Sequence, residues 1–190
     1  MTKYILYGGH PKNKENTKEF FQEMARDIVK KDITIIYVPY GKTDKENVEE
    51  YYDRNKTSCI HALPKKHISF VLAKENPQEF LDQMHEADII YLGGGNDEIF
   101  KAFLSQIPLN ILKKHFEGKV IAGSSAGANV LAMYYYTNDR QRVEEGLGIL
   151  PIKTICHYTE EKESRLEELE NYKEHLTSFA LPENYFVVIQ

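Results

Sequence analysis

The stretch of sequence that decides the fold is Val120-Ile121-Ala122-Gly123-Ser124-Ser125-Ala126-Gly127-Ala128-Asn129-Val130. Its first three residues are apolar and predict a buried strand that ends at Gly123. Residues 130–133 are apolar again and predict a helix. Between them, Gly123, Ser125 and Gly127 form the pattern Gly-x-Ser-x-Gly, which in a strand-turn-helix context is typical of a nucleophile elbow. The small neighbours leave room for a tight turn that lifts the serine hydroxyl clear of the sheet.

The rest of the chain alternates short apolar runs with longer amphipathic stretches, a rhythm that predicts an α/β protein with a mainly parallel sheet. At 190 residues, we expect one domain that spans residues 1–190. Besides the strand of the elbow, strands are predicted at residues 4–7, 33–38, 67–72, 88–92, 152–156 and 185–189. Helices are predicted at residues 16–30, 44–54, 77–85, 97–104, 109–116 and 161–180.

Composition narrows the classes of function. The net charge of −5 gives no reason to expect nucleic acid or a membrane surface as a partner, and two cysteines are too few for a disulfide framework. The chain has no apolar run of about 20 residues, the length needed to cross a membrane, and its first residues do not form a signal-peptide core. We therefore expect a cytoplasmic enzyme or binding protein.

Four unusual segments come directly after predicted strands: Gly8-Gly9, the run of glycines at residues 93–95, Ser125 and His157. The carboxyl ends of the strands in an open parallel sheet share one edge, where ligands usually bind. We therefore expect these segments to converge on one site. His10 follows Gly8-Gly9 and is a candidate for substrate binding there.

Ser125 and His157 are the candidate nucleophile and general base, because a serine hydroxyl needs a base within hydrogen-bonding reach. The alternative for Ser125 is a simple helix N-cap. After the glycines, Asn96 either caps the next helix or binds substrate. Asp139 lies in a polar cluster that forms a solvated turn, orients His157 or binds a cationic group of a substrate.

Three motifs in order, Gly93-Gly94-Gly95-Asn96, the serine segment at residues 123–129, and the segment 146–151 followed by His157, resemble peptidase family S51. That family includes peptidase E (aspartyl dipeptidase) and cyanophycinase. The resemblance implies a three-layer α/β/α sandwich of the flavodoxin-like, class I glutamine amidotransferase-like type. It also implies Ser125 as nucleophile, His157 as base, and an oxyanion hole formed by backbone amides of Gly94 or Gly95 and of Ala126. Residues 137–139 resemble the segment that carries an aspartate important for activity in peptidase E.

The resemblance is incomplete at the acid of the triad. In peptidase E this acid is a glutamate well beyond the histidine, at a spacing that here falls past Gln190, so the C-terminus is expected to be short relative to the family. The acid is therefore absent, lost through truncation, or supplied by another residue, for which Asp139, Glu160 and Glu183 are the candidates. The arginine-bearing pattern that follows the histidine in cyanophycinases is not reproduced, which makes peptidase E the better match.

These observations predict a serine hydrolase of the peptidase E type that cleaves short peptides, with Asp-X dipeptides as the family's substrate class. No metal or organic cofactor is expected, and the protein is expected to be a monomer or homodimer. The alternatives are another amide or ester hydrolase, including a cyanophycinase-like peptidase, on the same fold, and a non-catalytic binding module that lost the triad acid.

Overall fold

Helices and strands alternate along most of the chain. The computed structural model describes residues 1–9, 17–39, 41 and 45–190, with side chains from residue 48 onward in the last range. The strands in these ranges are β1 Lys3–Tyr7, β2 Asp32–Val38, β3 His67–Leu72, β4 Ile89–Leu92, β5 Val120–Ser124, β6 Ala132–Thr137, β7 Arg142–Glu145, β8 Leu150–Cys156, β9 Thr177–Leu181 and β10 Phe186–Ile189. The α-helices are α1 Thr17–Ala25, α2 Lys45–Ala62, α3 Pro77–Glu86, α4 Asp97–Leu104, α5 Leu109–Phe116, α6 Ala126–Leu131 and α7 Glu163–Glu170, and a 3-10 helix covers Glu160–Lys162.

The larger sheet has six strands in the order β10-β1-β5-β4-β2-β3, all parallel except β10, which is antiparallel to β1. The register brings three strand ends together. Tyr7 at the end of β1 lies opposite Ser124 of β5, and Leu92 of β4 lies opposite Gly123. The loops that leave these strands therefore start side by side, as predicted for the edge that carries a ligand site.

Helices cover both faces of this sheet. Phe20, Phe21 and Met24 of α1 pack with α2 on one face, in a cluster that includes Tyr7 and Tyr37. Helices α3 to α6 cover the other face in a second cluster. The architecture is α/β with mostly parallel sheets and helices on both sides, as the sequence predicts.

A second sheet was not predicted. It has the strand order β7-β6-β8-β9, in which β6, β8 and β9 are parallel and β7 is antiparallel to β6. His157 follows β8 of this second sheet, so the expectation that all four segments leave a single sheet was wrong. The convergence itself is found, because the end of β8 approaches the end of β1, where the His157 N–H donates a hydrogen bond to Gly8 O at 2.9 Å.

Two predicted helices were wrong for the same physical reason. The helix after the elbow ends at Leu131, and β6 starts at Ala132, within the predicted helix 130–133. The predicted helix 161–180 ends at Glu170, and residues 177–181 form β9 against β8. In both segments, pairing with β8 overrides a local preference for helix. Tyr134 and Tyr136 of β6 pack against Ile155 of β8 and Leu169 of α7.

Helix α1 is shorter than predicted and α2 extends eight residues further, to Ala62. In the part of the chain that the structure describes, no helix combines the length and the apolar character needed to cross a membrane.

Candidate active site

Ser125 lies in a strained turn between β5 and α6. Its backbone has φ 53° and ψ −114°, outside the regions that residues with a side chain normally adopt, and its N–H donates to Tyr7 O at 2.9 Å. The two glycines of the motif allow this turn. A Cβ atom on Gly123 would overlap the backbone of Gly127, and one on Gly127 would overlap the carbonyl group of Leu92. The pattern Gly-x-Ser-x-Gly therefore reflects close packing between the elbow and the neighbouring strand.

The imidazole of His157 reaches the Ser125 hydroxyl, with 2.8 Å between Oγ and Nε2. His157 also has a left-handed backbone, with φ 52°. Its carbonyl oxygen accepts a hydrogen bond from the amine of Lys162. The ring is 36% exposed, so one side of it faces solvent.

Glu183 lies on the far side of the same ring, with its Oε1 3.0 Å from His157 Nδ1. A carboxylate at this position accepts a hydrogen bond from Nδ1–H, which leaves Nε2 unprotonated and able to accept the hydrogen of Ser125. The turn that carries Glu183 joins β9 to β10 and is fixed to β1. Within it, Asn184 N donates to Gly9 O at 3.2 Å, and Tyr7 Oη donates to Asn184 Oδ1 at 3.3 Å.

The two other candidate acids do not reach the imidazole. Glu160 opens the 3-10 helix as an exposed residue, and Asp139 lies at the exposed turn between β6 and β7. Neither hydrogen-bonds to His157 in the described residues. Of the three alternatives from the sequence, Glu183 is the one that the fold brings to the imidazole.

The glycine run at residues 93–95 passes beside the nucleophile. A Cβ atom built on Gly94 would lie 3.4 Å from Ser125 Cβ, and Gly93 O accepts the N–H of Gly127 at 3.0 Å. Among the described residues, the N–H groups of Gly94, Gly95 and Ala126 have no acceptor. These three amides are therefore available to an oxygen atom of a bound substrate.

Asn96 caps α4, because its side-chain oxygen accepts the N–H of Ile99 at 3.2 Å. Capping was one of its two predicted roles, and its amide nitrogen remains open to the other. His10, the second predicted substrate-binding residue, lies outside the described residues.

A cavity of about 250 Å³ adjoins Ser125 and His157. Its other lining residues are Gly95, Asp97, Ala126, Asn129, Thr137, Asn138, Asp139 and Cys156. Ligand pockets for drug-sized molecules are usually roughly 300–1,000 Å³, so this cavity suits a single amino-acid side chain or a very short peptide.

The sequence matches the profile of peptidase family S51 over residues 4–190. The chain belongs to peptidase family S51.

Solved structures show the same fold at low sequence identity. A peptidase from an acI-B1 actinobacterium has a TM-score of 0.69 and 21% identity, over 100% of this chain and 84% of that one. A putative peptidase E protein from Listeria monocytogenes EGD-e has a TM-score of 0.71 and 18% identity, over 100% of this chain and 94% of that one. A comparison with curated proteins found no match.

One wall of the site in this S51 peptidase is held by an ion-pair network that the sequence did not reveal. Arg140 Nη2 lies 2.7 Å from the buried Asp97 Oδ1 and 2.6 Å from Glu144 Oε2. The hydrogen bonds from Arg140 lower the pKa of Glu144 to about 2. The network ties the turn that carries Asp139 to the start of α4, directly after the glycine run. Asp97 follows Asn96 in sequence, and that position was the only available signal for it.

Asn129 is the second lining residue that sequence reasoning missed. It lies one helical turn after Ser125, and its N–H donates to Ser125 O at 3.0 Å. Its spacing of four from the candidate nucleophile puts both residues on one face of α6, a signal that was present in the sequence.

Proposed function

We propose that this S51 peptidase hydrolyses short peptides through an acyl intermediate on Ser125. The observation that carries the proposal is the continuous hydrogen-bonded series from the Ser125 hydroxyl through the His157 ring to the Glu183 carboxylate, at 2.8 and 3.0 Å. This is the arrangement of a serine, a base and an orienting acid, which recurs on unrelated folds.

The chemistry follows from these positions. Ser125 Oγ attacks the carbonyl carbon of the scissile bond while His157 Nε2 takes its proton. The tetrahedral intermediate collapses when the amine leaves with that proton, and water then attacks the acyl-serine with His157 again as base. Glu183 keeps the proton on Nδ1 and stabilises the imidazolium that forms in each step.

The oxyanion of the intermediate would be bound by the free amides of Ala126 and of Gly94 or Gly95. Ala126 directly follows the nucleophile, and a Cβ atom built on Gly94 would lie 4.0 Å from Ser125 Oγ. Loss of one such donor typically raises the barrier by about 3 kcal/mol. The position of the glycine run therefore contributes to the rate in addition to the base.

The cavity favours small substrates with a free amino terminus. Asp139 is exposed at its rim and forms no ion pair with any described residue, so its carboxylate is available to a substrate ammonium group. Family resemblance adds Asp-X dipeptides as the first substrates to test, with Asn96 and His10 as further candidate substrate contacts. We expect a cytoplasmic enzyme, monomeric or homodimeric, that needs no cofactor.

A panel of dipeptides tests the proposal with wild-type protein and the Ser125→Ala variant. We expect wild type to release free amino acids and the variant to be slower by at least about 10³-fold, because the residual rate without a nucleophile comes only from binding and the oxyanion hole. Equal, background-level rates for the two proteins would remove the peptidase mechanism proposed for Ser125.

Labelling by a fluorophosphonate separates the remaining alternatives. Labelled wild type that cleaves no dipeptide would indicate a different amide or ester hydrolase, and protein that neither labels nor cleaves would indicate a binding module.

A further inference from the structure

Asn129 is a buried polar residue on the wall of the cavity beside Ser125. It is 6% exposed, lies on α6 and shares the helix face of the nucleophile. Its backbone is anchored to Ser125 O, so the distance between the two residues is set by one turn of helix. The side chain of Asn129 takes no part in the proposed acyl-serine mechanism.

Thr154 fixes the orientation of the Asn129 amide. Thr154 lies in β8, is fully buried, and has its Oγ1 3.1 Å from Asn129 Oδ1. Among the described residues, Asn129 Oδ1 is the only acceptor for the Thr154 hydroxyl. The reversed amide would leave this buried hydroxyl hydrogen without an acceptor, so the hydrogen-bond network assigns Oδ1 to Thr154 and Nδ2 to the cavity side.

Asn129 Nδ2 is then a hydrogen-bond donor on the cavity side. It has no acceptor among the described residues, although the residue is more than nine-tenths buried. A side-chain donor that has no protein acceptor and lines a cavity next to a nucleophile is suited to bind an oxygen atom of a ligand.

We propose that Asn129, oriented by Thr154, is a specificity-determining residue that donates a hydrogen bond to an oxygen atom in the substrate's first side chain. The inference rests on the proposed function, in which Ser125 attacks the carbonyl group of that first residue. The side chain on the attacked residue is the part of the substrate that reaches a wall one helical turn away from Ser125.

The donor is neutral, which sets the expected selectivity. Of the described residues that line the cavity, none is Lys or Arg. An uncharged N–H donates a hydrogen bond to a carboxylate oxygen or to an amide oxygen, so peptides that begin with Asp or Asn are both preferred over peptides that begin with Ala.

Binding to an inactive enzyme tests this without relying on turnover. Calorimetry with Ser125→Ala protein compares Asp-Leu, Asn-Leu and Ala-Leu, and the same peptides are tested after adding Asn129→Ala or, separately, Thr154→Val. We expect each added change to reduce the preference for Asp-Leu and Asn-Leu over Ala-Leu by about 10-fold, the size of one lost hydrogen bond, while Ala-Leu affinity stays nearly constant. Thr154→Val keeps the side-chain shape and provides the test if Asn129→Ala does not fold.

Ser178→Ala is the matched control, because it removes another buried hydroxyl from the same sheet, on β9 and outside the cavity lining. The inference is overturned if the preference survives both changes, if all three peptides weaken equally, or if Ser178→Ala has the same effect. Selective binding by a wild-type protein that hydrolyses nothing would instead contradict the proposed function and leave only the hydrogen bond between Asn129 and the first side chain of the bound peptide.

Discussion

Two residues with positive φ angles, Ser125 at 53° and His157 at 52°, meet at the candidate active site. Such a conformation costs a residue with a side chain roughly 1–3 kcal/mol and persists only where the surroundings enforce it. Here the end of β1 enforces both, because Tyr7 O accepts the N–H of Ser125 and Gly8 O accepts the N–H of His157. One strand end therefore sets the distance between the hydroxyl and the imidazole.

Glu183→Gln tests the role of the carboxylate at the residue scale. The glutamine keeps the shape of the side chain but can donate a hydrogen bond to Nδ1, which favours the tautomer whose Nε2 carries the proton and cannot take one from Ser125. We expect kcat to fall about 10²–10⁴-fold with little change in KM. Because the Glu183 side chain is 52% exposed, the lower part of that range is expected. Steady-state kinetics on the best dipeptide measures the effect.

Glu160→Gln is the control for this change, since Glu160 was a candidate acid in sequence and makes no contact with His157 among the described residues. Its kcat should equal that of wild type. A full-rate Glu183→Gln enzyme, or a slow Glu160→Gln enzyme, would contradict the assignment of Glu183 as the acid.

At the scale of elements, ion pairs connect the β6–β7 hairpin to α4. Arg140 in the hairpin turn binds Asp97 at the start of α4 and Glu144 on β7. Asp97 and Asp139 both line the cavity, so this connection holds one wall of the site against the glycine run. The hairpin position should therefore depend on the ionisation of these carboxylates.

The pKa of Glu144 determines the pH range in which the ion-pair network stabilises the fold. Its pKa is lowered from 4.5 to about 2, first by hydrogen bonds from Arg140, and its side chain is 15% exposed. A carboxyl whose pKa is lower in the folded state stabilises the fold above its unfolded pKa, and this stabilisation is lost as the pH falls from about 4.5 to about 2. The full contribution is on the order of 3 kcal/mol.

Urea unfolding of wild type and Glu144→Gln between pH 7 and pH 3 measures this contribution. The free energies of unfolding of the two proteins should differ most at pH 7, and the difference should shrink as the pH falls. Glu145→Gln, on the same strand but at an exposed residue, should show a much smaller difference. A difference in the free energy of unfolding between wild type and Glu144→Gln that does not change with pH would contradict the prediction.

The sequence was informative where local chemistry decides structure, and less so where distant pairing does. The glycine pattern around Ser125 and the β-branched run of β2 depend on neighbours in sequence, and both predictions match the described elements. The strands β6 and β9 exist because β8 pairs with each of them, which no short stretch reveals. Glu183 could be named only as one of three acids, because its contact with His157 depends on how β9 leads into β10 across two sheets.

At the scale of the whole molecule, the site lies where the two sheets meet. Ser125 follows a strand of the larger sheet, His157 follows a strand of the smaller one, and Glu183 lies in the turn between β9 of the smaller sheet and β10 of the larger. The larger sheet has β3 as an outer strand, and exposed backbone on such a strand can pair with another molecule. In β3 the odd-numbered residues bond to β2, so the carbonyl groups of Phe70 and Leu72 point outward.

Side chains occupy this outer edge in place of a strand. Gln83 of α3 donates to Leu72 O at 3.0 Å and accepts the N–H of Lys74 at 2.8 Å, and Tyr52 Oη donates to Phe70 O at 2.6 Å. The amide of Gln83 thus makes the pair of bonds that a neighbouring strand would make. We therefore expect Gln83 to keep the edge from pairing with a second molecule.

Gln83→Ala should therefore increase self-association without changing the peptidase rate per molecule, because the freed groups are the Leu72 carbonyl and the Lys74 amide, neither of which lines the cavity beside Ser125. Size-exclusion chromatography with light scattering over a range of concentrations measures the apparent mass, which should rise more steeply with concentration than for wild type. Gln78→Ala is the matched control, because Gln78 lies on the same helix and its amide donates to Asp82 rather than to the sheet edge. The same mass curve for Gln83→Ala and Gln78→Ala would show that the amide of Gln83 does not protect the edge, and that the twist or the short length of β3 is sufficient.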